Sequence, residues 1–250
     1  MLSFGPECIE IDAYPGATLV PRVTHLWVRW VLANIIGFAA GGAIAGTMAR
    51  ELGQPQYGVV TSTLDAVLIA TRTAGVALAV WGAAIGTAQW LVIRGELRNA
   101  GWWMPATSAG WALAGVVAGI LSGLMGGAVT GSGRDVGVWG FVVAAAVGIL
   151  AVGFLPVTFQ WMIMRRQVHR ARRWLLSAGG AFLVAACIAA VVVRWGMVNV
   201  IGWIRPEDFP SAKAWFAFGT AVGTLYGALT AAVLGRMLRG SSRGSSGLET

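Results

Sequence analysis

The sequence predicts an all-α integral membrane protein, six transmembrane helices arranged as three parallel helical hairpins. Three observations carry this. The 250 residues are 57% hydrophobic and only 11% charged, with a mean hydropathy of +0.72, whereas a soluble domain is about 45–50% apolar and about 25% charged. The apolar residues gather into six runs of roughly 20, the length that crosses a hydrocarbon layer. The pattern around Gln89-Trp90 also returns around Gln160-Trp161. So little charge cannot coat a water-exposed surface. A soluble enzyme, a disordered chain and a nucleic-acid-binding module are therefore excluded. The excess of Lys+Arg (18) over Asp+Glu (10) reads as loop charge biased towards the cytoplasm and anionic lipid, with no nucleic acid as partner.

Residues 1–26 carry Glu7, Glu10, Asp12 and three prolines, with neither a basic leader nor an apolar run, and read as a short cytoplasmic arm. The membrane domain is 27–239, with spans at about 27–48, 73–93, 104–129, 137–164, 174–193 and 214–234. Residues 240–250, GSSRGSSGLET, have the composition of a flexible tail. Six spans place both termini on one side. Twelve of the 18 basic residues fall on that side and six on the other, so the termini and the loops after spans two and four are expected in the cytoplasm. The densest cluster is Arg165, Arg166, Arg170, Arg172 and Arg173. It reads as a topology determinant that touches anionic headgroups, in preference to a docking site for RNA or protein.

Three hairpins recur at about 27–94, 103–165 and 174–236. Gln89-Trp90 and Gln160-Trp161 lie 71 residues apart, each followed by an apolar tripeptide, an arginine (Arg94, Arg165), a short polar loop and a tryptophan that opens the next span. Those tryptophans are Trp103 and Trp174, with Trp30 in the same place on span one. A small residue and an aromatic follow seven and eight positions on: Gly37-Phe38, Gly110-Trp111, Ala181-Phe182. The third hairpin has lost its glutamine, and Thr230 stands there. Every unit starts on the same side, so the repeats are parallel and related by an axis along the membrane normal. A closed pseudo-threefold bundle and an open row both satisfy the pattern. Glycines four apart (Gly82 and Gly86; Gly115, Gly119, Gly123 and Gly127; Gly219, Gly223 and Gly227) share a helix face and predict close helix packing. Pro156, inside span four and four residues before Gln160, is expected to kink that helix beside a pocket.

The cassettes QWLVIR (89–94), AGWW (100–103) and QWMIMR (160–165) resemble those of a family of uncharacterised multi-pass proteins in cyanobacteria and Chloroflexota, built from repeated QWLVLR, short-loop and WW units. The match covers spans one to five. The resemblance implies a bacterial inner-membrane location and this fold, and brings no activity with it.

Polar groups within the spans are the candidate contact residues, because hydrocarbon penalises them. They are Asn34, Gln89, Gln160 and Thr230, accompanied by Thr87 and Thr158. No acid, lysine or histidine stands at the centre of a span. That pattern disfavours a proton-coupled transporter and an intramembrane hydrolase, so no enzyme and no catalytic residue is expected. Cys8 and Cys187 with His25 and His169 are too few and too scattered for a structural metal site. No cofactor motif appears. GSGRDVG at 131–137 lacks the strand and spacing of a phosphate loop. His25 and His169 are the candidate ligands for a haem or pigment, and an interfacial role among headgroups is favoured for both.

Two functions follow. The leading one is a non-catalytic auxiliary subunit that packs with other membrane proteins, in an energy-transducing (photosynthetic or respiratory) complex. The other is a passive channel or carrier for a small neutral solute or a lipid, with Gln89, Gln160 and Thr230 converging on one cavity.

Overall fold

A computed structural model describes residues 20–53, 62–97, 99–131, 138–165, 167–168, 171–192 and 212–242. Six α-helices carry the fold: α1 (Val20–Gly53), α2 (Thr63–Ile93), α3 (Trp103–Gly131), α4 (Val138–Met164), α5 (Arg172–Val191) and α6 (Ala212–Ser242). A single 3-10 turn, Ala100–Trp102, leads into α3. All six are long and apolar enough to cross a membrane. The chain is a helical membrane bundle. Below, the proximal end is the one holding the α2–α3 and α4–α5 connections, and the distal end is the other.

Several helices outrun the apolar runs that foretell them. α1 begins at Val20, inside the segment read as an arm, and α6 continues to Ser242, past Gly240. α2 begins at Thr63, ten residues before the span start expected at 73. At α2 the apolar run itself reaches back to Leu64, broken only by Asp65, Thr71 and Arg72, and a polar cap fixes where the helix starts. Ser62 sits in extended backbone and its Oγ accepts from the Asp65 amide at 3.1 Å. The Asp65 carboxylate lies in the first turn, where the helix dipole favours it. Arg72 then donates to the Leu52 carbonyl at 3.2 Å, tying α2 to the distal end of α1.

Each helix packs against its neighbours in sequence, and α1 packs against α6. The six therefore form a closed ring, and the open row is not adopted. The seams are lined by glycine. A Cβ placed on Gly223 would come 2.5 Å from the Asn34 carbonyl oxygen, and one on Gly119 would come 2.5 Å from the Thr71 Cα. Gly37 faces Ile85 across α1–α2, Gly110 faces Pro156 across α3–α4, and Gly179 faces the Phe154 ring across α4–α5. At Gly223, Gly119, Gly37 and Gly110 backbone approaches backbone, and at Gly179 a ring lies on backbone; a larger residue would hold each pair apart. Gly127 lies outside the residues whose packing is described.

Candidate functional site

Asn34, Gln89, Gln160 and Thr230 gather near the proximal end of the ring, whereas Thr87 and Thr158 donate back to the Ala83 and Phe154 carbonyls of their own helices. Trp103 and Trp174 stand in the first turns of α3 and α5 and Trp30 lies ten residues into α1; all three are fully buried. Each donates its indole N–H to the even helix that precedes it around the ring. Trp103 Nε1 donates to Gln89 Oε1 at 2.9 Å, and Trp174 Nε1 to Gln160 Oε1 at 3.2 Å. Trp30 Nε1 donates to Thr230 Oγ1 at 2.9 Å, from the first helix to the last. The threonine in the degenerate hairpin thus does the acceptor's work of the glutamine it replaces.

The amide nitrogens complete the network. Gln89 Nε2 donates to Asn34 Oδ1 at 2.8 Å, and Asn34 Nδ2 donates to the Trp30 carbonyl at 2.8 Å. Gln160 Nε2 lies 3.1 Å from both Gln89 Oε1 and Thr107 Oγ1. Thr230 Oγ1 donates to the Tyr226 carbonyl at 2.7 Å. All five polar side chains (Asn34, Gln89, Thr107, Gln160 and Thr230) are buried. Buried amides and hydroxyls are costly only when left unpaired, and here they are paired with one another, with indole N–H groups and with backbone carbonyls.

Thr107 is the member that sequence reasoning misses. It stands four residues after Trp103, as Asn34 stands four after Trp30, while the third such position is Ala178. Register alone points to it. The aromatics at eight on form the next layer: Phe38, Trp111 and Phe182 have ring centroids 5.4–6.1 Å apart, with Tyr226 5.6 Å from Phe38. Between the polar network and this layer is a void of only about 10 Å³, lined by Gln89, Gln160, Pro156 and Tyr226 among others. That is room for about one water. The pocket expected beside Pro156 is therefore no larger than this, and α4 remains helical through the proline.

Beyond the aromatic layer the bundle opens into apolar clefts that are not sealed from the outside. Two apolar lobes, of about 600 and 530 Å³, adjoin at Leu78, Trp81, Ala118, Ser122 and Trp215. The lobe floor includes Trp81 and Trp111, stacked at 5.5 Å. On these walls Trp215 Nε1 and Thr73 Oγ1 are buried without a hydrogen-bond partner.

Outside the core, Arg94 lies 5.7 Å over the Trp90 ring and Arg165 5.5 Å over Trp161. The QWxxxR cassettes so place a cation on an aromatic face just beyond each buried glutamine. Arg165, Arg172 and Arg173 are exposed at this end. Arg166, Arg170 and His169 lie outside the described residues, as do residues 132–137 of GSGRDVG. His25 is exposed on α1, apart from the polar network. Among the described residues no three of His, Cys, Asp and Glu come together. No family model, no curated protein and no solved structure matches the chain, so the likeness to the multi-pass family rests on the cassettes themselves.

Proposed function

We propose that the chain is a non-catalytic auxiliary subunit that packs within a larger assembly of a bacterial inner membrane, its proximal end in the cytoplasm. The observation that carries this reading is the closed proximal core. Asn34, Gln89 and Gln160, groups a solute path would need, hydrogen-bond one another inside it, and Thr230 is held by the Trp30 indole and the Tyr226 carbonyl. The tryptophan and phenylalanine layers fill the axis on either side of them. Such a core holds six helices in register and leaves their outward faces for contact. Those faces are strongly apolar: Trp139, Leu176 and Val191 are each more than 60% exposed. On α5 the open space beside Gly180 admits the backbone of a further helix. The bias of twelve basic residues against six supports the orientation.

The test is isolation from native membranes in a mild detergent, followed by native mass spectrometry and crosslinking. Other membrane proteins in defined stoichiometry are expected. A bare monomer under conditions that keep known complexes intact would overturn the reading.

A further inference from the structure

We infer that the distal chamber is a binding site for one acyl chain of a phospholipid drawn from the adjoining leaflet. This goes beyond the subunit reading and does not depend on it. The chamber exists because of side-chain size. The positions seven residues beyond Phe38 and Trp111 are Ala45 and Ala118, and both line the lobes. Opposite them on α4 and α5 stand Ala144, Ala145, Gly148 and Ala186. Small residues on every side of an axis leave it unfilled, and the larger lobe reaches about 600 Å³. That falls within the range of about 300–1,000 Å³ typical of ligand sites.

Depth and chemistry choose the occupant. The lobe runs along α3 from Trp111 to Met125, about 21 Å at 1.5 Å per residue, and its floor lies about 12 Å from the buried Trp103. It therefore occupies the distal part of a hydrocarbon layer about 30 Å thick, where a single leaflet is about 15 Å deep. An acyl chain whose headgroup stays at the distal surface reaches the aromatic floor. Water does not suit the space, since an ordered water needs two to four polar partners. The walls supply mainly Leu, Ala, Ile, Val and aromatic surface; the Ser122 hydroxyl lies on the boundary between the lobes, while the unpaired Trp215 Nε1 and Thr73 Oγ1 are buried behind the lining and do not open onto the space. Left empty, the lining would lose dispersion contacts that a hydrocarbon chain restores.

Gly148 offers a clean way to fill the lobe. A Cβ there meets only Leu121 Cδ1, at 4.0 Å, so a larger side chain enters the chamber without striking backbone. The full chain is placed in vesicles of phosphatidylethanolamine and phosphatidylglycerol doped with a phosphatidylglycerol bearing a diazirine in one chain. A parallel sample carries a diazirine-labelled isoprenol instead. After irradiation, phospholipid adducts are expected on chamber residues Leu121 and Val152. Gly148→Phe should lower them about tenfold, equivalent to about 1.4 kcal/mol, while adducts at outward-facing Leu176 stay unchanged. Independently of any variant, native mass spectrometry of the delipidated wild-type chain should retain one phospholipid. The proposal is overturned by absent chamber adducts, by adducts from the isoprenol alone, by equal labelling of Gly148→Phe, or by a wild-type chain that retains no lipid.

Discussion

Between Trp103 and Trp111 the axis-facing side chains of α3 are Trp103, Thr107 and Trp111; on the same helix beyond them, Ala118 and Ser122 face the chamber. The two halves of the bundle share helices, ring order and glycine seams. Close helix approach even continues into the open half, where Gly115, Gly119 and Gly123 press against Ala74, Thr71 and Val67 of α2. Tight seams and a filled axis are thus separate properties. Glycine sets how near neighbouring helices come, whereas the residue on the inward face sets whether the space between all six is filled. Polar pairing differs between the halves in degree. The proximal network joins residues of five helices, α1, α2, α3, α4 and α6, with α5 bonded through Trp174. In the distal half Thr71 Oγ1, Thr73 Oγ1 and Trp215 Nε1 are buried without partners, against Trp161 Nε1 at the proximal end.

Substitutions can break that contrast, and the largest effect is expected at a seam. Gly223→Leu sets a side chain against the Asn34 carbonyl and the Ile35 Cα, which only a shift of a whole helix relieves. A loss of about 3 kcal/mol or more is expected, at the upper end of overpacking costs. Reversible unfolding in mixed micelles would measure it. A loss below about 1 kcal/mol, a third of the expected cost, would mean that the α1–α6 seam is not as close as described.

A matched pair addresses the axis directly. Ala178→Leu, at a fully buried proximal position, should cost about 1–3 kcal/mol through overpacking. Ala118→Leu projects into the chamber and should change stability by no more than about 0.5 kcal/mol. Equal costs for the two would show the distal axis to be filled. Gln89→Leu removes the acceptor of Trp103, the donor to Asn34 and a partner of Gln160. Its expected cost is about 1–3 kcal/mol, because three buried groups lose a bond together. Thr230→Val removes a single interhelical acceptor, that of Trp30, and should cost only about 0.6 kcal/mol, the average for such bonds in membranes. If the two variants unfold alike, the network does not act through shared bonds.

The smallest effect on stability is expected at the headgroup layer. Replacing Arg165, Arg166, Arg170, Arg172 and Arg173 by Gln should leave unfolding within about 0.5 kcal/mol of wild type. It lowers the basic count from twelve against six to seven against six, so a reporter fused after Thr250 should reveal mixed orientation, with weaker binding to anionic vesicles. A wholly cytoplasmic reporter and undiminished lipid binding would assign the cluster to a protein partner.

The membrane helices were legible because burying twenty apolar residues leaves a continuous signal, and the Gln-Trp cassettes were legible because they recur. Their meeting in one network followed from register: residues fourteen apart, Gln89 and Trp103 or Gln160 and Trp174, flank a short turn and return to the same height. Less legible were the helix ends. In the first turns of α2, Asp65 and Arg72 interrupt an apolar stretch that already begins at Leu64, and Ser62-x-x-Asp65 is itself a capping pattern that marks the start. The chamber was illegible for a different reason. An alanine reads as packing or as space according to what faces it across the axis, and that depends on three hairpins closing at once.

The hydrogen bond from Trp30 to Thr230 spans 200 residues of chain, and this has a consequence in time. A ribosome adding about 5–20 residues per second needs roughly 10–40 s to make the acceptor after the donor. Throughout that interval α1 resides in the membrane with its indole N–H and the α1 face that will receive Gly219 and Gly223 uncovered. The last helix is thus the closing stave of the barrel, and until it arrives the nascent chain offers the insertion machinery, or any neighbouring helix with a hydroxyl, a vacant berth.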